Sequence, residues 1–174
     1  MLFAEIRQPE SDFLAIPEVS TERRRYVPIG YLNSDIIPSN KLYILPSACL
    51  FMFGIMISNI HMAWMRTVCG RMKSDYSYSP AVYNNFPWPE ATDEQKAKIE
   101  KTAQAILDAR ALYPDSSLAD LYDDLTMPPE LRKAHQQNDR AVMEAYGMSI
   151  KETTESSCVA ELMRRYQALT AAEK

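Results

Sequence analysis

The sequence predicts an α+β fold: a short-stranded N-terminal region with a buried helix, followed by an all-helical C-terminal subdomain. Three observations carry this. Short apolar runs bounded by Pro, Gly or Asn fill residues 1–47. An uncharged run from Leu42 to Met65 follows. After Trp88-Pro89 the pattern turns to amphipathic helices with capping signals. The expected division is therefore 1–89 and 90–174.

Tyr26-Val27-Pro28-Ile29, Asp35-Ile36-Ile37 and Leu42-Tyr43-Ile44-Leu45 read as short strands joined by turns. Residues 48–69 read as one helix. Phe53, Ile57, Ile60, Trp64 and Val68 stack on one face, and Phe51, Ile55 and Met62 make the opposite face apolar too. Such a helix is central and covered on most sides. Gly70 is placed to end it. Residues 70–91 read as an ordered irregular segment, dense in aromatics, hydroxyls and Pro.

Thr92 followed by Gln95 is a capping-box start, with Ile99, Ala103, Ile106 and Arg110 in register behind it. Ser116-Ser117 caps a short helix through Leu118, Leu121 and Tyr122. Pro128-Pro129 suits a first turn. That helix has Leu131, His135, Val142 and Tyr146 on its apolar face and Gly147 at its end. A last helix uses Val159, Leu162, Met163, Tyr166 and Leu169.

At 174 residues, 47% hydrophobic and 24% charged, the chain can build a core without disulfides or metals. The net charge of -4 argues against a generally basic surface, but the charge is uneven. Residues 1–89 hold eight Lys/Arg and seven Asp/Glu, while 90–174 hold eleven and sixteen. A phosphate-facing surface is expected in the first half, with Arg23, Arg24, Arg25, Arg66, Arg71 and Lys73. Cys49, Cys69 and Cys158 are far apart and read as reduced, buried thiols in a cytoplasmic protein. Met1-Leu2-Phe3-Ala4-Glu5 has no signal-peptide pattern. A membrane span needs about 20 apolar residues. Pro46, Ser47, Ser58, Asn59 and His61 interrupt the uncharged run, so it is read as a buried soluble helix and no membrane partner is expected.

The four glycines, Gly30, Gly54, Gly70 and Gly147, stand apart, so no glycine-rich phosphate or ribose loop is present. No His-Glu-x-x-His or Gly-x-Ser-x-Gly occurs. Glu94-Gln95-Lys96 matches the tail of a nuclease signature but sits in a first helical turn, where Glu suits the dipole. Asn84-Asn85-Phe86-Pro87-Trp88 lacks an Asn-Pro-Pro order and reads as a rigid aromatic hinge rather than a base-binding motif.

Lys73-Ser74-Asp75 suits a G·C pair chemically. Lys donates to guanine O6 and N7, and Asp accepts from cytosine N4. Arg71 and the hydroxyls of Tyr76, Ser77 and Tyr78 would then position the loop on phosphates. On chemistry alone, a solvated surface pair is the leading reading.

Several blocks resemble the C-terminal part of MmeI-like restriction–modification DNA adenine methyltransferases. The first is Ser20-Thr21-Glu22-Arg23-Arg24-Arg25-Tyr26-Val27-Pro28-Ile29-Gly30-Tyr31. Phe53-Gly54-Ile55 with Ser58 through Arg66, Cys69 through Tyr76, and Tyr83 through Pro89 follow in order. Ser117 through Asp123 and Met127 through His135 resemble the terminal helical domain. The match covers nearly the whole chain.

The resemblance implies a target-recognition domain that reads double-stranded DNA. It also implies an upstream domain, or subunit, that binds S-adenosylmethionine and flips an adenine for N6 methylation. No cofactor or catalytic residue is expected in this chain. In such enzymes the two residues flanking the Ser of the Gly-Arg-x-x-Ser block read the pair beside the target adenine. Here they are Lys73 and Asp75. Relatives with the reversed acid–base order read the opposite orientation, so this order implies guanine beside the adenine. Asn40, Lys41 and Glu18 align with further base-reading positions, and Arg23, Arg24 and Arg25 are expected on the DNA backbone by their charge. Ser77 stands where relatives tend to have Arg, which removes one phosphate contact. The alternatives are a helical protein-interaction module without DNA readout, which the acidic second half would allow, and a membrane-anchored fragment.

Overall fold

The computed structural model describes residues 8–172, and the reading of Met1 to Glu5 lies outside them. The fold is α+β with a helical C-terminal part. Strand β1 (Phe13–Pro17) pairs antiparallel with β3 (Gly30–Leu32) and with β4 (Leu42–Pro46), giving the order β3-β1-β4. A second antiparallel sheet has the order β2-β6-β5, from β2 (Val19–Ser20), β5 (Gly70–Met72) and β6 (Asp75–Ser77).

Between β4 and β5 lie α1 (Leu50–Met56) and α2 (Asn59–Val68). After β6 come α3 (Pro80–Asn84), α4 (Asp93–Ala111), α5 (Leu118–Leu121), α6 (Pro129–Ala145) and α7 (Glu155–Ala172).

The helices α1 and α2 occupy the centre. Tyr31 of β3 meets Phe53 edge-on, and Tyr78, just after β6, lies against His61. From the other side, α4 packs on α1, and Tyr166 of α7 reaches Trp64 of α2. One apolar core thus joins both halves of the chain. Gly54 sits where α1 meets α4 and α6. A Cβ there would fall 2.6 Å from Ile99 Cγ2 and 3.1 Å from Asn138 Oδ1. Asn138 Nδ2 in turn donates to the Gly54 carbonyl at 2.7 Å.

The expected single helix over 48–69 is two helices. Ser58 breaks it: its hydroxyl donates to the Ile55 carbonyl and accepts from the His61 N–H. The freed N–H of Asn59 donates to Asp139 Oδ1 of α6 at 2.8 Å. A hydroxyl that can bond the backbone locally competes with helix continuation, and a buried acceptor makes the break favourable.

Other expectations are corrected. Asp35-Ile36-Ile37 is a turn region, not a strand, and Ile37 is largely exposed. Tyr26 to Ile29 is buried but irregular, with Pro28 unable to donate to a ladder, and the strand begins at Gly30. Gly70 opens β5 rather than capping α2, which ends at Val68. The segment 70–91 is not wholly irregular: it contains the β5–β6 hairpin and α3. Cys49 is exposed and Cys69 half-buried, so of the three only Cys158 is the buried thiol expected. Leu169 faces solvent.

The C-terminal helices start where the capping chemistry puts them. Thr92 with Gln95 and Ser117 with Asp120 each form a complete capping box. Gly147 follows α6 with φ +71, a conformation glycine adopts without strain.

Candidate nucleic-acid interface

The β5–β6 hairpin is built by alternation. Tyr76, at the middle of β6, is buried, while Asp75 and Ser77 on either side are half-buried. Its register pairs Met72 with Asp75, which leaves a two-residue turn, Lys73-Ser74. Lys73 has φ 57, and Ser74 is not left-handed. A positive φ at the first of two loop residues is the φ signature of a II′ hairpin turn, which suits strand twist. Lys73 is exposed. The turn therefore presents Lys73 outward and aims Asp75 from the first residue of β6.

Arg71 braces this turn. Its Nη1 donates to the Ser74 carbonyl at 2.8 Å, and its guanidinium lies 4.1 Å from the Tyr76 ring centroid. The same nitrogen meets Glu22 Oε2 at 3.3 Å. Glu22 was not among the residues singled out from sequence. Its role depends on the sheet, in which β2 ends beside β6 and delivers Glu22 to the hairpin.

Glu18, Asn40 and Lys41 form a second group. Glu18 links the two sheets: its N–H donates to the Lys41 carbonyl at 3.0 Å, and its carbonyl accepts from the Tyr78 N–H at 2.8 Å. Lys41 Nζ lies 3.6 Å from Glu18 Oε2, and Asn40 is exposed in the turn before β4. The group adjoins Tyr78, so three residues of strand separate it from Asp75, roughly 10 Å.

The three arginines after β2 differ. Arg23 is exposed, with its N–H 3.5 Å from Thr21 Oγ1. Arg24 is half-buried, and its Nε is buried without a hydrogen-bond partner among the described residues. Arg25 is exposed and lies 5.8 Å from the Tyr26 ring centroid.

One assigned phosphate contact is corrected. Tyr78 is buried, and its hydroxyl pairs with His61 Nε2 at 3.0 Å. Burial pushes that phenol well above its ordinary pKa and pushes His61 down to about 4. Tyr76 is also buried, its ring under Arg71. Both rings pack into the hairpin, and the Tyr78 hydroxyl is turned into the core. Ser77, between them, faces outward and is half-buried. The Phe86 ring is buried against His61, Trp64 and Trp88, consistent with a packing role for that aromatic segment.

Among the described residues no two glycines come together in a phosphate- or ribose-binding turn. Gly30, Gly54 and Gly70 lie on separate elements, and none has the positive φ of a tight phosphate-binding turn. Among the described residues no group of three or more His, Cys, Asp or Glu is placed to hold a metal. Also among them, no helix is long and apolar enough to cross a membrane.

Comparison with known proteins fits this architecture. Residues 1–90 match the family model of the MmeI target recognition domain, and residues 91–172 match that of the MmeI C-terminal domain. The chain is 37% identical over 169 residues to DNA methyltransferase A of Bacillus subtilis (strain 168), covering 97% of this chain and 19% of that protein. It is similar to the solved Type IIL restriction-modification enzyme MmeI in complex with DNA, with a TM-score of 0.90 and 47% identity. That match covers 95% of this chain and 22% of the enzyme, so the chain spans about a fifth of the length of these relatives. The chain belongs to the MmeI family and carries its target recognition and C-terminal domains.

Proposed function

We propose that this chain is the sequence-reading module of a larger S-adenosylmethionine-dependent DNA adenine-N6 methyltransferase of the restriction–modification type. The observation that carries the reading is the exposed Lys73-Ser74 turn with Asp75 beside it, held from behind by Arg71. A cation and a carboxylate fixed on one tight turn present a donor and an acceptor at a set spacing. A G·C pair in the major groove displays the complementary acceptors and donor.

Lys73 donates to guanine and Asp75 accepts from its cytosine, next to the adenine that is methylated. Glu18, Asn40 and Lys41 lie roughly 10 Å away, about three base-pair steps of 3.4 Å, and serve other pairs. Arg23, Arg25 and the outward Ser77 face phosphates, and these cations lie in the half of the chain with the less acidic balance. Half-buried Arg24, whose Nε lacks a partner among the described residues, joins this phosphate-facing set. The partners are double-stranded DNA and the domain that binds S-adenosylmethionine and performs the transfer. The setting is the cytoplasm.

The test is a segment exchange. In DNA methyltransferase A of Bacillus subtilis, the segment matching this chain is replaced by it. Single-molecule sequencing then reads methylated sites in a host genome. The expected result is methylation at a new motif. An active chimera that keeps the recipient's motif contradicts the reading.

A further inference from the structure

The β5–β6 hairpin has two faces, and strand alternation sorts its residues between them. Arg71 opposes Tyr76, which opposes Ser20; Tyr76 and Ser20 are buried, and the exposed Arg71 lies over the Tyr76 ring. Met72 opposes Asp75, Gly70 opposes Ser77, and Ser77 opposes Val19, so these five share the outward face. Met72 is 55% exposed there. Folding therefore leaves more than half of this apolar side chain in water.

Gly70 adds a second observation on the same face. Its φ is not positive, and a Cβ there would meet only Ser77 atoms at 3.8 and 3.9 Å, ordinary contact. The fold therefore does not require glycine at this strand position, where glycine weakens pairing. A bare backbone on an exposed face suits the close approach of another molecule.

The exposed cation at the turn, Lys73, fits a polyanion as that molecule. Directly opposed strand residues have Cβ atoms about 4.5–5.5 Å apart, a distance on the scale of one base step of about 3.4 Å. With Asp75 on one base pair, Met72 falls over its neighbour. The apolar group on a major-groove edge is the thymine 5-methyl.

We infer that Met72 is a specificity residue that contacts a thymine 5-methyl group on the base pair adjoining the one read by Lys73 and Asp75. The inference rests on the DNA-reading function proposed above. It adds an apolar contact to a hydrogen-bonding pair, on residues that no family block singles out for readout.

The test uses the full-length enzyme and duplexes carrying its motif, with each thymine replaced in turn by deoxyuridine. That exchange removes one methyl and keeps every hydrogen bond. At one adjoining position kcat/KM is expected to fall about threefold to fivefold, the factor for one buried methyl-sized group. The fall is expected to vanish in Met72→Asn, whose thermal midpoint should match the native protein because the site is exposed. Two results overturn the inference: neutral deoxyuridine at every adjoining position, or an undiminished fall in Met72→Asn. If Lys73→Glu with Asp75→Arg moves the motif while deoxyuridine stays neutral, Met72 alone is misassigned. If the double change leaves the motif intact, the hairpin reading itself fails.

Discussion

Arg71 Nη1 donates a 2.8 Å hydrogen bond to the carbonyl of Ser74, the residue between Lys73 and Asp75. The guanidinium is also stacked on the buried Tyr76 ring. Arg71 is therefore tied to the turn through Nη1.

A bracing role has a distinct signature. Arg71→Ala should lower kcat/KM on the cognate site about tenfold, as loss of one charge-assisted hydrogen bond does. Near-cognate sites should lose less, so discrimination narrows. A residue that only met phosphate would weaken all sequences alike and reduce the salt slope by about one. The thermal midpoint should move little, since the ion pair with Glu22 is exposed. Methylation rates on paired cognate and near-cognate duplexes at several salt concentrations separate the two.

Lys73 occupies left-handed backbone at φ 57. A residue with a Cβ is strained there by about 1 kcal/mol relative to glycine. Lys73→Gly should thus leave the chain as stable as before, or more stable by up to about 1 kcal/mol, while removing the donor. Urea unfolding should show an unchanged or higher midpoint, and methylation should lose its preference at the flanking pair. A clear loss of stability would mean that Lys73 is part of the packing.

Gly54 is a structural counterpart. A Cβ there would press on Ile99, Asn138 and Ala103, from two helices that cannot both move aside. Gly54→Ala should lower the unfolding free energy by about 1–3 kcal/mol despite alanine's better helix propensity. Chemical denaturation of the variant checks this.

The core also sets a pH response. Burial lowers His61 to about 4. His135 is lowered well below its ordinary value by burial first, then by the charges of Arg110 and Arg25. Burial raises Asp139 to about 6 against the opposing hydrogen bonds from Tyr26 and Asn59. The folded histidines bind fewer protons than the unfolded ones, so their contribution is present above 6.5 and lost as pH falls toward 4. Asp139 acts oppositely: its contribution is present below 3.8 and lost as pH rises through about 6.

Two histidines outweigh one aspartate between these limits, a net difference of about one proton, so stability should fall by about 1.4 kcal/mol per pH unit on acidification. His61→Gln should flatten that slope. Urea titrations across this range test it, and a pH-invariant native protein contradicts it.

The helical half was legible because its signals are local. Thr92 with Gln95 and Ser117 with Asp120 lie within one turn of each other, and each capping box forms. The N-terminal half was less legible because its determinants are distant in sequence. Nothing near Ser58 announces Asp139, whose carboxylate stabilises the break between α1 and α2 from 80 residues away. The hairpin was hidden because Lys73-Ser74 lacks the Asn-Gly or Asp-Gly of common two-residue turns, and Arg71 supplies the bracing instead. Tyr78 was misplaced on the surface because a hydroxyl-rich run resembles a phosphate loop. Sheet alternation turns both Tyr76 and Tyr78 inward.

The most direct test is the double substitution Lys73→Glu with Asp75→Arg in the full-length enzyme, read by single-molecule sequencing of methylated adenines. The expected result is a shift from guanine-flanked to cytosine-flanked adenines, because donor and acceptor exchange places on the same turn. An active enzyme that still methylates its original sites would contradict the assignment of Lys73 and Asp75.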